Sequence, residues 1–182
     1  MKKLYLFRHA KASQPPGGPG DFHRPLAGRG SSDAAAAGAA LAAAGIEPGM
    51  VLCSAAARAT ETLEQAAPAF THPLPTAMHR SLYDDDAGGI LDKVRALDAN
   101  IDSAMVVGHN PALGDLALRL AGSGEGALVD ALRNKFPTAA ICGLEFNTSD
   151  WNGVMPGSGR LVLYLTPKES RGQLAATDST NS

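Results

Sequence analysis

Apolar residues fall along the chain in two alternating patterns, short unbroken runs and stripes with helical spacing. Leu4-Tyr5-Leu6-Phe7, Met50 to Cys53 and Ala104 to Gly108 are runs with no polar alternation, as expected of strands buried on both faces of a parallel sheet. Between them lie helical signals. Gly28-Arg29-Gly30 reads as a turn, Ser31 or Ser32 as a cap with Asp33 in the first turn, and Ala34 to Ala44 as a helix ending at Gly45. Leu63, Ala66, Ala67 and Phe70 form the apolar stripe of a helix over Ala56 to Phe70, which places Arg58 in its first turn. Ile90, Leu91, Val94 and Leu97 mark a third helix, and Leu113, Leu116, Ala117 and Leu120 a fourth, with Asn110 as N-cap and Pro111 as first helical residue. Ala77 to Leu82 is a further strand. Gly122 to Gly126 is a break before a short helix at Leu128 to Leu132, and Thr138 to Phe146 with Leu161 to Thr166 read as an antiparallel pair at one edge.

This order predicts an α/β fold of three layers, α/β/α, with a mostly parallel central sheet and an antiparallel edge. One domain over residues 1–167 is expected, followed by a polar tail, 168–182, without core packing. The 182 residues suffice for a single core. With 16 Lys+Arg against 18 Asp+Glu and a net charge of -2, no global basic field draws nucleic acid or anionic lipid, so anion affinity must be local. The opening apolar run is too short for a secretory signal and the Ala34–Ala44 run too short for a bilayer, so a cytoplasmic protein without membrane attachment is expected. Cys53 and Cys142 stand in strand-like runs, where cysteine behaves as a small buried apolar residue and forms no disulfide.

The chemistry concentrates where runs give way to helices. Arg8-His9 follows the first run, Arg58 starts the helix after the second, and His109 ends the Ala104–Gly108 run. Parallel strands gather their carboxyl ends along one sheet edge, the usual ligand side of such sheets. Two arginines and two histidines there, with no carboxylate tied to them, fit an oxyanion pocket better than a core. A capped helix after His109 favours an anion beside that imidazole.

Arg8-His9-Ala10 resembles the Arg-His-Gly signature of the histidine phosphatase superfamily, the phosphoglycerate-mutase-like fold. Ser54 to Thr62 with its central Arg58 resembles that family's second motif, and Gly108-His109-Asn110-Pro111 its second-histidine motif. Asp21 to Gly30, with Arg24-Pro25-Leu26, and the short length are most similar to the SixA-like phosphohistidine phosphatase branch. The resemblance implies His9 as nucleophile through a phosphohistidine intermediate. It further implies Arg8, Arg58 and Arg24 as phosphoryl ligands, with His109 as a further donor and no metal or other cofactor. Two positions depart from the family pattern. Ala10 replaces glycine, and no glutamate stands where many members carry a general acid, leaving Asp84, Asp85 or Asp86 as substitutes.

Three rival readings compete. Cys53 and Arg58 outline a cysteine-phosphatase loop, but only four residues separate them and the loop lacks glycine. His9, His109 and the aspartates could serve a metal hydrolase, although neighbouring arginines disfavour a cation. A catalytically silent phosphate-binding module would have no need of His9. The expected partner is therefore a phosphorylated protein, with a histidine phosphotransfer domain the first choice, or else a small phosphate ester, and the expected state a monomer. A phosphoramidate can leave as neutral imidazole and asks less of an acid than an alkoxide does, which favours phosphohistidine as substrate.

Overall fold

The computed structural model describes residues 1–14, 18 and 20–172. Seven strands form one sheet in the order β3-β2-β4-β1-β6-β7-β5: β1 Lys2–Arg8, β2 Met50–Ser54, β3 Thr76–His79, β4 Ser103–Gly108, β5 Ala121–Gly124, β6 Ile141–Phe146 and β7 Gly159–Leu165. β1, β2, β3 and β4 run parallel, with Arg8 level with Gly108 and Ser54 level with His79. The unbroken apolar runs become the central strands because each must feed two cores. Leu4 and Leu6 point into one buried cluster, Tyr5 and Phe7 into the other. Ala104 and Val106 alternate with Met105 and Val107 in the same way. Each fully buried side chain of this size stabilises the fold by about 1.5–3 kcal/mol.

Helices α1 (Gly28–Ala43) and α2 (Ala57–Ala66) cover one face, and α3 (Ala87–Arg95), α4 (Ala112–Leu120) and α5 (Gly126–Asn134) the other, completing the three layers. The alanine-rich sequence of α1 serves close packing. A β-carbon at Gly38 would overlap the carbonyl of Ala66, and one at Gly30 the carbonyl of Lys11, so glycine lets α1 lie against α2 and against the chain that has just carried His9 out of β1. No helix among the described residues is long and apolar enough to cross a membrane.

Several elements differ from the sequence-based expectation. Helix α1 starts at Gly28, with Ala27 extended as its N-cap and both serines inside it, and Gly30 serves close packing against Lys11 rather than a turn. Helix α4 starts at Ala112. The Asn110 carboxamide still takes an N–H of the first turn, that of Gly114, at 3.2 Å. The expected antiparallel side of the sheet is present, with β6 paired antiparallel to both β1 and β7, and the break at Gly122–Gly126 adds β5, which pairs parallel with β7 as the outermost strand there. The expected tail begins differently as well. Residues 167–172 are helical, Ser170 is buried, and the Arg171 guanidinium donates to the Asp33 carboxylate; residues 173–182 lie outside the described residues.

Candidate active site

The carboxyl ends of β1, β2 and β4 lie side by side, and the polar residues that follow them meet there. Arg8 is placed by main-chain bonds, its N–H to Ala140 O at 3.0 Å and its side chain Nη1 to Phe136 O at 2.8 Å. The His9 N–H donates to Gly108 O at 2.9 Å, which ties β1 to β4 at the point where both strands end. Thr62 of α2 then locks the next peptide: its hydroxyl accepts the Ala10 N–H at 2.9 Å and donates to Arg58 O at 2.6 Å. The methyl of Ala10 is buried, so alanine in place of glycine costs no space in the site.

Both imidazoles are buried. His9 Nε2 lies 3.3 Å from Arg58 Nε, and a guanidinium can only donate, so Nε2 carries the lone pair. The proton then sits on Nδ1, which donates to Ala10 O at 2.8 Å. Burial, opposed by that carbonyl and reinforced by Arg58, Arg8 and Arg24, pushes His9 down to about 4, so the ring is neutral at neutral pH. His109, with its ring centre 5.0 Å from that of His9, is pushed down to about 3 by burial and then by His9 and Arg58. Its Nε2 lies 2.8 Å from Ser54 Oγ. Because Ser54 Oγ already accepts the Ala56 N–H at 3.3 Å, its hydroxyl proton is free to go to Nε2. With Nε2 accepting from Ser54, the single proton of the neutral ring is on Nδ1, which is buried and has no hydrogen-bond partner among the described residues. A ring nitrogen carrying a lone pair and a ring N–H left without a partner are the two functions that attack on an oxyanion electrophile needs.

Arg58, in the first turn of α2, is buried yet reaches three groups. Besides Nε on His9, its Nη1 donates to Asp21 O at 2.6 Å and its Nη2 to the Asp21 carboxylate at 3.0 Å. Arg24 donates to the other oxygen of the same carboxylate at 2.8 Å, and the Tyr83 hydroxyl donates to Asp21 at 2.6 Å. The tyrosine's hydrogen bond, with the two arginines, holds the Asp21 carboxyl below the usual carboxylate range. The expectation that no carboxylate is tied to the arginines is therefore overturned. Guanidiniums crowded at one sheet edge attract a counter-ion, and the loop over Asp21–His23 brings one. Glu61 of α2 anchors the same loop by accepting the Leu26 N–H at 2.6 Å, which fixes Arg24 beside the site.

The acidic run after β3 reaches the same edge. Asp84, Asp85 and Asp86 line a cleft of about 370 Å³ with Tyr83, His109 and Asn110. Asp85 is paired with Lys93 at 2.7 Å, and Asp86 caps α3 by accepting the Gly89 N–H at 2.8 Å, while Asp84 is exposed. Arg8, His9, Arg58, His109 and Arg24 are thus brought together, and the aspartates border them on the His109 side.

Sequence reasoning missed Asp21, Tyr83, Ser54 and Thr62 as parts of the site. Asp21 and Ser54 stood at the ends of two quoted motifs, but their partners are distant in sequence and no periodicity shows such pairing. The Cys53 thiol is pushed up to about 12 by burial, so it is no nucleophile at neutral pH. Among the described residues no group of three or more His, Cys, Asp or Glu is spaced to hold a metal ion.

The family model of the histidine phosphatase superfamily (branch 1) matches residues 4–98. An uncharacterized protein of Mycobacterium tuberculosis is 35% identical over 163 residues, covering 88% of this chain and 99% of its own. The fold matches a candidate phosphohistidine phosphatase SixA from Nakamurella multipartitia with a TM-score of 0.79 at 26% identity, covering 91% of this chain and 96% of that one. A candidate SixA from Agrobacterium tumefaciens matches with a TM-score of 0.77 at 28% identity, covering 91% and 98%. The arrangement of Arg8, His9 and Arg58 falls inside the matched segment, and the chain belongs to the histidine phosphatase superfamily, a phosphatase with the phosphoglycerate-mutase-like fold.

Proposed function

We propose that this phosphatase hydrolyses phosphohistidine on a protein, with His9 as nucleophile. The observation that carries the reading is the neutral His9 ring, its Nε2 lone pair turned toward Arg58 and its Nδ1 proton held by a main-chain carbonyl. Nε2 attacks phosphorus as the bond from phosphorus to the substrate imidazole breaks, and that imidazole, already protonated from solvent on its other ring nitrogen, leaves neutral. Water then cleaves the phosphohistidine on His9 and releases inorganic phosphate. For the first step Arg58 Nε must leave His9 and donate to a phosphoryl oxygen instead, joined by Arg8, Arg24 and the unpartnered Nδ1–H of His109. Guanidiniums supply the charge stabilisation that a cation supplies elsewhere, so activity is expected to survive chelators.

The site borders solvent on the Tyr83 side, where Tyr83 is half-buried and Asp84 exposed, which supports access for a side chain presented by another protein. A monomeric, cytoplasmic enzyme fits this role. A second reading, a broad phosphomonoesterase, draws on Asp84: an exposed carboxyl in the cleft with His109 could protonate an alkoxide. The comparison that separates them is kcat/KM on a phosphohistidine-bearing protein against small phosphate esters in one buffer. Preference for the phosphoprotein is expected, and preference for an ester would overturn the assignment.

A further inference from the structure

A second cleft, of about 430 Å³, is lined by Lys11, Arg29, Lys135, Lys168 and Arg171 around the single carboxylate of Asp33. All five basic side chains are exposed, in a chain whose net charge is -2. Asp33 is buried and takes up the two arginines, pairing with Arg171 and lying 3.7 Å from Arg29 Nε. Glu169 near the rim is turned onto Thr166, accepting its N–H at 2.6 Å. Lys11, Lys135 and Lys168 therefore face solvent as a local positive field of opposite sign to the whole chain.

Topology puts this field beside the active site. β6 is antiparallel to both β1 and β7, so β7 runs in the direction of β1, and Leu165, Ile141 and Phe7 stand in one row across the sheet. The chain after Leu165 emerges two strand spacings from the chain after Phe7, which is about 10 Å. Lys11 lies two residues beyond His9, and Lys135 and Pro137 flank Phe136, whose carbonyl holds Arg8. An extended segment covers that distance in about three residues.

We propose that this cleft is a docking surface for the phosphorylated protein, and that it recognises carboxylates lying about three to six residues' reach from the phosphohistidine. The proposal rests on phosphohistidine being the substrate. Docking of this kind selects by charge: it lowers KM, leaves the chemical step alone and weakens with salt. It also separates protein substrates from small esters, which cannot bridge the two sites.

The test uses the full chain and two synthetic phosphohistidine peptides of equal length, one with glutamates at three to six positions from the phosphohistidine and one with glutamines. At low salt the wild type should turn over the glutamate peptide with kcat/KM about tenfold higher, through KM, as expected for several exposed ion pairs together. The advantage should vanish at high salt and in the Lys135→Glu/Lys168→Glu variant, whose rate on the glutamine peptide and on a small phosphate ester should be unchanged. Equal rates on both peptides by the wild type, or equal loss on the ester in the variant, would overturn the docking proposal alone. Turnover of the ester with neither peptide cleaved would overturn the phosphohistidine reading as well.

Discussion

The floor of the active site and its rim are built from different materials. On the floor, His9, Arg8 and Ala10 are held by main-chain groups of Ala10, Gly108, Phe136 and Ala140 and by the buried Thr62 hydroxyl. On the rim, Arg24, Asp21 and Tyr83 hold one another through exposed or half-exposed side chains. Buried bonds to fixed peptides preorganise a charge-stabilising site, whereas exposed ion pairs contribute little and exchange readily. In the proposed mechanism the floor serves the chemistry and the rim admits the substrate. Arg58 belongs to both, with Nε on the floor and its two terminal nitrogens on Asp21.

That double contact should make Arg58 the most damaging position to change after His9, the proposed nucleophile. Arg58→Ala should lower kcat on any phosphorylated substrate by about 10²–10³-fold, about 3–4 kcal/mol, as for loss of one preorganised oxyanion donor. Steady-state rates with phosphohistidine peptide measure it, and a loss confined to KM would move Arg58 to the rim.

The buried histidines leave a signature in stability. Their folded values lie near 4 and 3, below the ordinary 6.5, so under pH 6.5 the unfolded chain takes up protons that the folded chain refuses. The contribution is present above pH 6.5 and is lost as pH falls toward the folded values. At pH 5 the loss should be about 1–2 kcal/mol for each ring. Urea unfolding at pH 7 and pH 5 should show a larger drop for the wild type than for the His9→Gln/His109→Gln double variant. Equal drops would mean that the rings titrate normally.

Asp21→Asn tests the rim. Removing its charge should free Arg58 and Arg24 for an incoming anion and tighten inhibition by inorganic phosphate by about three- to tenfold, in line with exposed ion pairs of about 1 kcal/mol. Weaker phosphate binding in the variant would show instead that Asp21 orients the arginines. Smallest of all, Asp84→Asn should change turnover of phosphohistidine less than about twofold, because neutral imidazole leaves without strong acid help. A large loss on that substrate would make Asp84 a working acid.

The floor was legible in the sequence and most of the rim was not. Arg8, His9, Arg58 and His109 could be placed together because unbroken apolar runs mark buried parallel strands, and such strands align their ends. Asp21, Tyr83 and Ser54 act through side-chain contacts between segments distant in sequence, for which composition and periodicity carry no signal. The strand β5 was hidden for a related reason. Its Ala-Gly-Ser-Gly lacks branched or aromatic residues, and it pairs only because β7 offers an open edge. The lysines of the second cleft are spread over three distant segments, and only the β1–β6–β7 row brings them together.

The central claim is that His9 Nε2 carries the phosphoryl group during turnover. Rapid acid-free quenching of the His109→Ala variant with phosphohistidine peptide, followed by mass spectrometry of its peptides, reads this directly. A phosphoryl group on His9, labile to acid and stable to base, is the expected result, and it should be missing from His9→Ala, which should also be inactive. Phosphate found on Cys53 or a serine, or undiminished turnover by His9→Ala, would contradict it.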